Sequence, residues 1–420
     1  MGLPVEIRLE VYDLAVQEAR VVRERLQPHN CHFKLLWVCR QMHAEAKPLI
    51  YTYVSLLHER QIRAFIQTVP DSDAAYIVCA DVANDGRVIR TTNAKEDAAC
   101  VLTKVDIPIS QLNIALHRMT ALKHLRVFEC KQGLPAHPAR MSLILIAYHA
   151  CLSTLPSAKY AKRIVVAFEH AMFPADHTPL LETYELFISS NSKAVALTKV
   201  GAKRLQRLRL SGSCSIAPDV DTAALREVAL EGLTGNYFDR RDLNEWCRFS
   251  HLTTFVYTLE DRVGFELRDS HLLSLAYGPG HHLRKLILLG CSRLTSTVLA
   301  ECLEQMGGLE YVALSITTVA EQRTNIVVAL PSTLRVLKIS VKNAWYAVPL
   351  LDEERAMCDV LESRLRAGDL RLKALAVHFR VSLMGDSRRT QWMELARKIG
   401  CQLQIGHWEG LASSGGDTAF

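Results

Sequence analysis

The densest group of candidate metal ligands in the sequence is a run of histidines and cysteines near the N-terminus: His29, Cys31, His32, Cys39 and His43. Protein zinc sites use such side chains, but in closely spaced pairs that are a set distance apart along the chain. These five residues do not follow that spacing, and the 12 cysteines of the chain include no Cys-x-x-Cys pair. We therefore predict no metal and no cofactor, and we expect reduced, packed thiols.

Motifs for nucleophilic catalysis and for phosphate binding are missing from the sequence. It contains no Gly-x-Ser-x-Gly elbow, no Gly-x-x-x-x-Gly-Lys-Ser/Thr loop and no Gly-x-Gly-x-x-Gly turn. Such motifs place a nucleophile or a set of backbone N–H groups where a substrate can reach them. The histidine pair His281-His282 follows Gly278-Pro279-Gly280, which is typical of a structural turn. The sequence predicts a protein that is not an enzyme.

A second set of residues could bind an anionic partner. In a β-strand alternate residues point to opposite faces, so basic residues between inward leucines would project outward together. Arginine matches the geometry of carboxylate and phosphate groups, which predicts an acidic or phosphorylated partner. The alternative interpretation is that these charges simply face water. The residues predicted to form this basic sheet face are Arg126, Arg163, Arg207, Arg209 and Lys285, with His124 and Lys338 beside them and Glu227 as the main acid.

The segments that carry these residues are copies of one pattern, Leu-x-x-Leu-x-Leu with conservative replacements. The clearest copy runs from Leu283 to Thr295 and has Cys291 where leucine-rich repeats cap a turn. A degenerate copy lies at Ala161 to Val166. Other starts follow at intervals that include the roughly 20 to 29 residues of such repeats. The pattern begins at Leu122, Leu205, Leu225, Leu252, Leu283, Leu309, Leu334 and Leu372.

Amphipathic helices separate several of these copies. Apolar spacing predicts helices from Thr297 to Met306 and from Glu353 to Leu365. Strand, turn and helix then form one unit, which buries its apolar face only by stacking on neighbouring units. The predicted fold class is α/β: an irregular leucine-rich-repeat solenoid with a parallel sheet. An exception is the stretch around Asn84-Asp85-Gly86, which predicts a hairpin between the apolar runs on either side.

The first predicted helix, Leu3 to Val16, has two apolar stripes. At 100° per residue, one stripe can close the core of a small helical module. The other stripe requires a second surface, which is either the rest of the chain or a partner protein, and the pattern leaves both open. The stripes are Leu3, Ile7, Val11 and Leu14 on one side and Val5, Leu9, Tyr12 and Val16 on the other.

This module contains three separate sequence blocks. In chain order they are Leu3-Pro4-Val5-Glu6-Ile7-Arg8, Leu36-Trp37-Val38-Cys39-Arg40-Gln41, and Glu45-Ala46 with Pro48-Leu49-Ile50-Tyr51. Over about residues 1 to 57 the chain resembles the F-box-like domain of fungal proteins. The resemblance implies that the first two blocks dock on the small Skp-type adaptor of a cullin ubiquitin ligase and that the remainder receives a protein substrate. The adaptor-binding residues that it implies are Leu3, Pro4, Ile7, Val11, Leu14, Val38, Cys39 and Arg40.

Taken together, these features predict four segments and an adaptor function. Residues 1–67 form the F-box-like helical module, 68–118 a connecting region with the hairpin, 119–409 the repeats and 410–420 a disordered tail. The leading hypothesis is a substrate-receptor subunit that catalyses nothing. Two alternatives remain open: a repeat scaffold or receptor outside any ligase, and an RNA- or phospholipid-binding module that uses the basic sheet face.

Composition limits these alternatives. The excess of 50 Lys and Arg over 44 Asp and Glu is mild, and the 7% of aromatic residues do not interleave with the basic positions, which argues against nucleic acid. Glu6, Arg8 and Glu10 interrupt any secretory signal at the start. The most apolar window, Met141 to Leu155, is shorter than the roughly 20 residues that a bilayer span needs. We expect a location in the cytoplasm or nucleus and no membrane partner.

Overall fold

The structure is a computed structural model that describes residues 3–20, 28–83, 87–93, 104–108, 111–128, 164–170, 180–188, 193–197, 204–216, 222–234, 250–259, 264–318, 324–343 and 350–408. For the strands at 87–93, 104–108, 164–170 and 193–197 it describes the backbone alone. The chain divides into two compact units. The first comprises Met1–Arg204 and Ser215–Ala217, and the second comprises Leu205–Cys214 and Pro218–Phe420.

The first unit begins with helices and continues with strands. Its described elements are α1 (Val5–Arg20), a 3₁₀ helix (Cys31–Trp37), α2 (Arg40–Ile50), β1 (Tyr53–Leu56), α3 (Glu59–Thr68), α4 (Asp71–Ala74), β2 (Cys79–Ala83), β3 (Arg87–Asn93), β4 (Lys104–Pro108), α5 (Leu112–His117), β5 (His124–Phe128), β6 (Ile164–His170), β7 (Thr183–Phe187) and β8 (Lys193–Leu197). Strands β1, β2, β5 and β7 pair in that order, all parallel. Strands β4, β3 and β6 form a separate antiparallel sheet.

The core of the N-terminal helices forms where α1 meets α2 and the sheet. Tyr12, Val16 and Ala19 of α1 pack with Ile50 at the end of α2 and with Tyr53 on β1. All five side chains are buried. The predicted helix is confirmed with shifted ends: it begins at Val5 and not at Leu3, and it extends beyond Val16 to Arg20. Its last turns supply part of this core.

Two predictions in this unit are wrong for one physical reason. The hairpin expected around Asn84 to Gly86 would pair β2 with β3, but β2 lies between β1 and β5 and therefore has no free edge. Strand β3 pairs instead with β4 and β6. The degenerate repeat at Ala161 to Val166 overlaps β6, which belongs to the antiparallel sheet. A strand's partners depend on distant segments, which local turn chemistry does not specify.

The second unit is a regular series of parallel strands. Its described elements are β9 (Arg207–Ile216), β10 (Glu227–Leu233), β11 (Thr254–Thr258), α6 (Asp269–Tyr277), a 3₁₀ helix (Gly280–His282), β12 (Lys285–Cys291), α7 (Ser296–Gln305), β13 (Tyr311–Thr318), β14 (Val336–Asn343), α8 (Leu351–Ala367), β15 (Ala374–His378), α9 (Asp386–Ile399) and β16 (Gln402–Ile405). Strands β9 to β16 pair in sequence order. This confirms the α/β class and the stacking of strand-and-helix units.

The repeat phase predicted from the leucines is confirmed in this unit. Each predicted start lies two residues before a strand and is buried, as are the third and fifth residues after it. The backbone shows the same period, since the carbonyl of Thr253 accepts the N–H groups of Arg284 and Lys285. The carbonyl of Arg284 in turn accepts those of Glu310 and Tyr311. Stacking therefore positions every repeat from its predecessor.

The two helices predicted between repeats are confirmed as α7 and α8. The side chain of Thr295 accepts the N–H of Val298 and caps the start of α7. Helix α8 ends at Ala367 and is capped by Gly368, whose φ of 78° is the left-handed conformation that glycine adopts without strain. Among the described helices, none has the combined length and apolarity that crossing a bilayer requires.

Candidate functional site

The structure leaves all eight predicted adaptor-binding residues at the surface. The stripe formed by Leu3, two residues before α1, and by Ile7, Val11 and Leu14 on α1 is exposed, and Leu14 keeps 57% of its accessible area. The opposite stripe divides along its length: Tyr12 and Val16 are buried and the two earlier residues, Val5 and Leu9, are exposed. Thus one stripe closes the core, as the pattern allowed, while the other faces solvent. We call Leu3, Ile7, Val11 and Leu14 the N-terminal apolar stripe.

The second implied block adds further exposed apolar side chains. Val38 is exposed, and the neighbouring Trp37 keeps 86% of its accessible area. These two side chains enlarge the apolar surface that the N-terminal helices expose, and contiguous apolar surface is typical of interaction sites. Cys39 begins α2, where its sulfur accepts the N–H of Met42 at 3.4 Å. Trp37 was not among the predicted site residues, although its position inside the second block could have identified it.

An ion pair joins the first and third blocks and holds α1 against α2. The Arg8 guanidinium donates to both oxygens of Glu45, with Nε to Oε2 at 2.9 Å and Nη2 to Oε1 at 2.6 Å. Gln41 donates to the same carboxylate at 3.0 Å. The hydrogen bonds from Arg8 and then from Gln41 lower the pKa of Glu45 to about 2. The stabilisation from this pair is fully present above the ordinary glutamate pKa, declines as the pH falls below that value, and is lost once the pH has fallen through about 2.

The predicted basic sheet face is paired with acids in the second unit. Arg207 and Arg209 project on the same side of β9, because Leu208 between them is buried. Glu227 lies 2.5 Å from Arg207, and Glu231 makes an ion pair with Arg209. Both glutamates lie on the neighbouring strand β10. An anionic ligand at this place would have to compete with two carboxylates that the protein already supplies.

The lysines of this face contact an aromatic ring. Lys285 Nζ lies 4.7 Å from the centre of the Tyr311 ring, and Lys338 Nζ lies 5.6 Å from the same centre. Such cation–π contacts fix the position of both ammonium groups on the sheet. Arg163, the remaining predicted residue, lies outside the residues that the structure describes.

We expect reversal of Arg207 and Arg209 to glutamate to lower stability by about 1 to 2 kcal/mol, because like charges then oppose each other on adjacent strands. Neutral glutamines at both positions are the control and should cost less. Urea denaturation at low and high salt measures the change, which should shrink as salt screens the carboxylates. A midpoint equal to that of the unmodified protein at low salt would contradict the pairing.

Arg126, in the first unit, makes its hydrogen bonds to other groups of the protein. Its guanidinium donates Nε to Asp81 Oδ1 and Nη2 to Asp81 Oδ2, both at 2.6 Å. Nη2 also lies 2.7 Å from the carbonyl oxygen of Arg20, at the end of α1. The Tyr53 hydroxyl donates to Asp81 at 2.7 Å, and burial followed by the nearby Asp81 charge raises the pKa of Tyr53. We call Tyr53, Asp81, Arg126 and the Arg20 carbonyl the Asp81 network.

The histidine and cysteine run near the N-terminus is dispersed in space. His32 is buried with Nε2 3.2 Å from the Tyr53 carbonyl oxygen, and burial lowers its pKa to about 4. Cys31 and Cys39 are exposed. The described part of the chain brings no three His, Cys, Asp or Glu side chains together in a way that could hold a metal ion.

Comparisons with known proteins do not add a family to these observations. No protein-family model matches the chain, and a search of curated proteins gave no significant match.

Proposed function

We propose that this chain is a non-enzymatic adaptor that works by holding two proteins close together. Its first helices would dock on a Skp-type adaptor and through it on a cullin, as the resemblance to F-box-like domains implies. The leucine-rich repeats would receive a protein substrate. The observation that carries this proposal is the exposed N-terminal apolar stripe on α1.

An exposed apolar stripe on a helix favours docking for an energetic reason. Each large apolar side chain that leaves water on binding contributes about 1.5 to 3 kcal/mol. The N-terminal apolar stripe therefore has the composition of an interface core, with the exposed charged residues of α1 around it. The ion pair between Arg8 and Glu45 keeps α1 in place on α2, so that a partner would meet a preorganised surface.

We expect the double variant Ile7→Asp and Leu14→Asp to lose capture of the Skp-type adaptor by at least about a hundredfold. An unpaired carboxylate buried in an apolar interface costs several kcal/mol. Both positions are exposed in the free chain, so the fold should be retained. A pull-down with purified adaptor measures capture, and circular dichroism with thermal melting measures the fold.

Gln17→Asp is the control for added negative charge, because it introduces one carboxylate at an exposed position of α1 outside the stripe. The single variant Leu14→Asp, which adds the same one charge within the stripe, is measured beside it. The Gln17→Asp control should bind like the unmodified chain. Unchanged capture by the double variant would refute docking through this stripe. Absence of capture by the unmodified chain would favour the scaffold alternative, in which the repeats act outside any ligase.

A further inference from the structure

One level of the sheet in the second unit is apolar on its outward face. The strand register aligns Val256, Ile287, Ala313, Lys338 and Ala376 as neighbours across β11 to β15. Four of these five outward residues are apolar. Two strands earlier, the outward positions of β9 are arginines paired with glutamates. A local change from charged to apolar residues on the outward face indicates that something covers this level.

The cover is the short segment that follows β16. Trp408 packs in one cluster with Ile287, Leu289, Ala313 and Ala376 and retains 1% of its accessible area. Its indole N–H donates to the carbonyl oxygen of Ile339 on β14 at 3.2 Å. The aromatic side chain thus lies across the outward face. Its apolar ring is buried against apolar residues, and its N–H group is hydrogen-bonded.

Small residues create the space for this indole. Ala313 and Ala376 lie on either side of Lys338 in the register, where larger side chains would fill the level themselves. The chain reaches the site through Gly406, whose N–H donates to the Val377 carbonyl at 2.9 Å. The φ of Gly406 is 125°, a backbone conformation that residues with a side chain rarely adopt. We call the surface formed by Ile287, Leu289, Ala313 and Ala376 the indole hollow.

Positive charge borders the hollow. Tyr311 packs against the cluster, and Lys285 and Lys338 both lie over its ring. In the sequence, Glu409 directly follows Trp408. A tryptophan followed by a carboxylate therefore matches an apolar hollow beside two ammonium groups.

We propose that the indole hollow is a peptide-binding site for an aromatic residue followed by an acidic residue, and that Trp408 occupies it as an intramolecular ligand. The partner is an extended segment of another protein that presents this pair and displaces the chain's own segment. Because the intramolecular ligand acts at an effective concentration in the millimolar range, such a partner binds weakly until Trp408 is removed or displaced. The site therefore selects partners that supply additional contacts.

This inference deepens the proposed function by giving the repeats a class of substrate, but it does not depend on adaptor docking. The test contains no adaptor protein, so its failure and the failure of the docking experiment are separate results.

The experiment uses the full chain with Trp408→Ala and a fluorescently labelled peptide of residues 404–413, which carries the Trp-Glu pair. Binding is followed by fluorescence anisotropy, with the unmodified chain beside it. We expect the variant to bind the peptide about 30-fold or more tightly than the unmodified chain does, because its hollow is empty. The peptide with its own Trp408→Ala change should lose this binding. The peptide with Glu409→Lys should bind about fivefold more weakly, with a difference that shrinks at high salt.

Thermal melting of the variant decides between a ligand and a core residue. A folded variant that binds the Trp peptide supports the site. A folded variant that binds neither peptide overturns it, as does equal binding by the variant and the unmodified chain. Loss of the folded state on Trp408→Ala also overturns it, because Trp408 would then be part of the obligatory core. In that case Trp408→Phe should restore folding without creating any peptide binding.

Discussion

Truncation of Leu286 to alanine is expected to lower the free energy of unfolding of the second unit by about 2 to 5 kcal/mol, the range measured for buried leucines in cores. Leu286 is completely buried on β12. The register places it between Phe255 on β11 and Val312 on β13, which are also completely buried. Its removal therefore leaves a cavity that the stacked neighbours on both sides cannot fill.

Val381→Ala is the matched control, because it also removes apolar atoms but from a side chain that keeps 89% of its accessible area. Its effect should stay within about 0.5 kcal/mol. Urea denaturation followed by circular dichroism measures both variants. A Leu286→Ala midpoint indistinguishable from that of Val381→Ala would show that the repeat phase is misassigned.

Asp81→Ala should destabilise the first unit by about 3 to 5 kcal/mol, the usual cost of removing one partner from a buried ion pair. The Asp81 side chain is 3% exposed and accepts hydrogen bonds from Arg126 and Tyr53. Without it, the guanidinium loses its bidentate partner, and the charge that still attracts it is that of Glu185, opposite it on β7. Because Arg126 also donates to the Arg20 carbonyl, we expect the C-terminal end of α1 to loosen as well.

Two further variants separate this effect from simple loss of charge. Adding Arg126→Met to Asp81→Ala should recover part of the stability, since the guanidinium that lost its bidentate partner is then removed as well. Arg63→Met breaks the exposed pair between Arg63 and Glu59 on α3 and should cost less than about 0.5 kcal/mol. Hydrogen exchange of the α1 amides reports the loosening. Equal stability of the Asp81→Ala and Arg63→Met variants would refute an anchoring role for the Asp81 network.

The repeat phase could be predicted from sequence because burial on a parallel sheet follows a local rule. An inward residue has to be apolar whatever the neighbouring strand is. The spacing of Leu283, Leu286 and Leu288 therefore predicts which side of their strand is buried without knowledge of the other strands. The same rule identifies β5, whose start at Leu122 is buried. It missed β7, where Leu181, Tyr184 and Leu186 are all buried, because a tyrosine occupies an inward position. It also missed β16, where Gly400 stands in place of the first leucine.

The outward face could not be predicted in the same way. The sequence shows that Arg207 and Arg209 share a side of their strand, but only the register with β10 shows that Glu227 and Glu231 balance them. Likewise, alternation assigns Arg126 to an outward position. Only the packing of α1 shows that this position is covered and that the guanidinium bonds to Asp81 and to the end of the helix.

The sequence by itself determined the α/β class, the phase of the repeats and the two apolar stripes of α1, because each of these depends on spacing within one segment. Tertiary structure alone decided which stripe stays exposed, which charges are paired, and that Trp408 fills a hollow between strands distant from it in the chain. Those outcomes depend on contacts between segments far apart in sequence. The free energy of each such contact comes from the burial and pairing of both partners. The local sequence pattern of either partner alone therefore does not predict the contact.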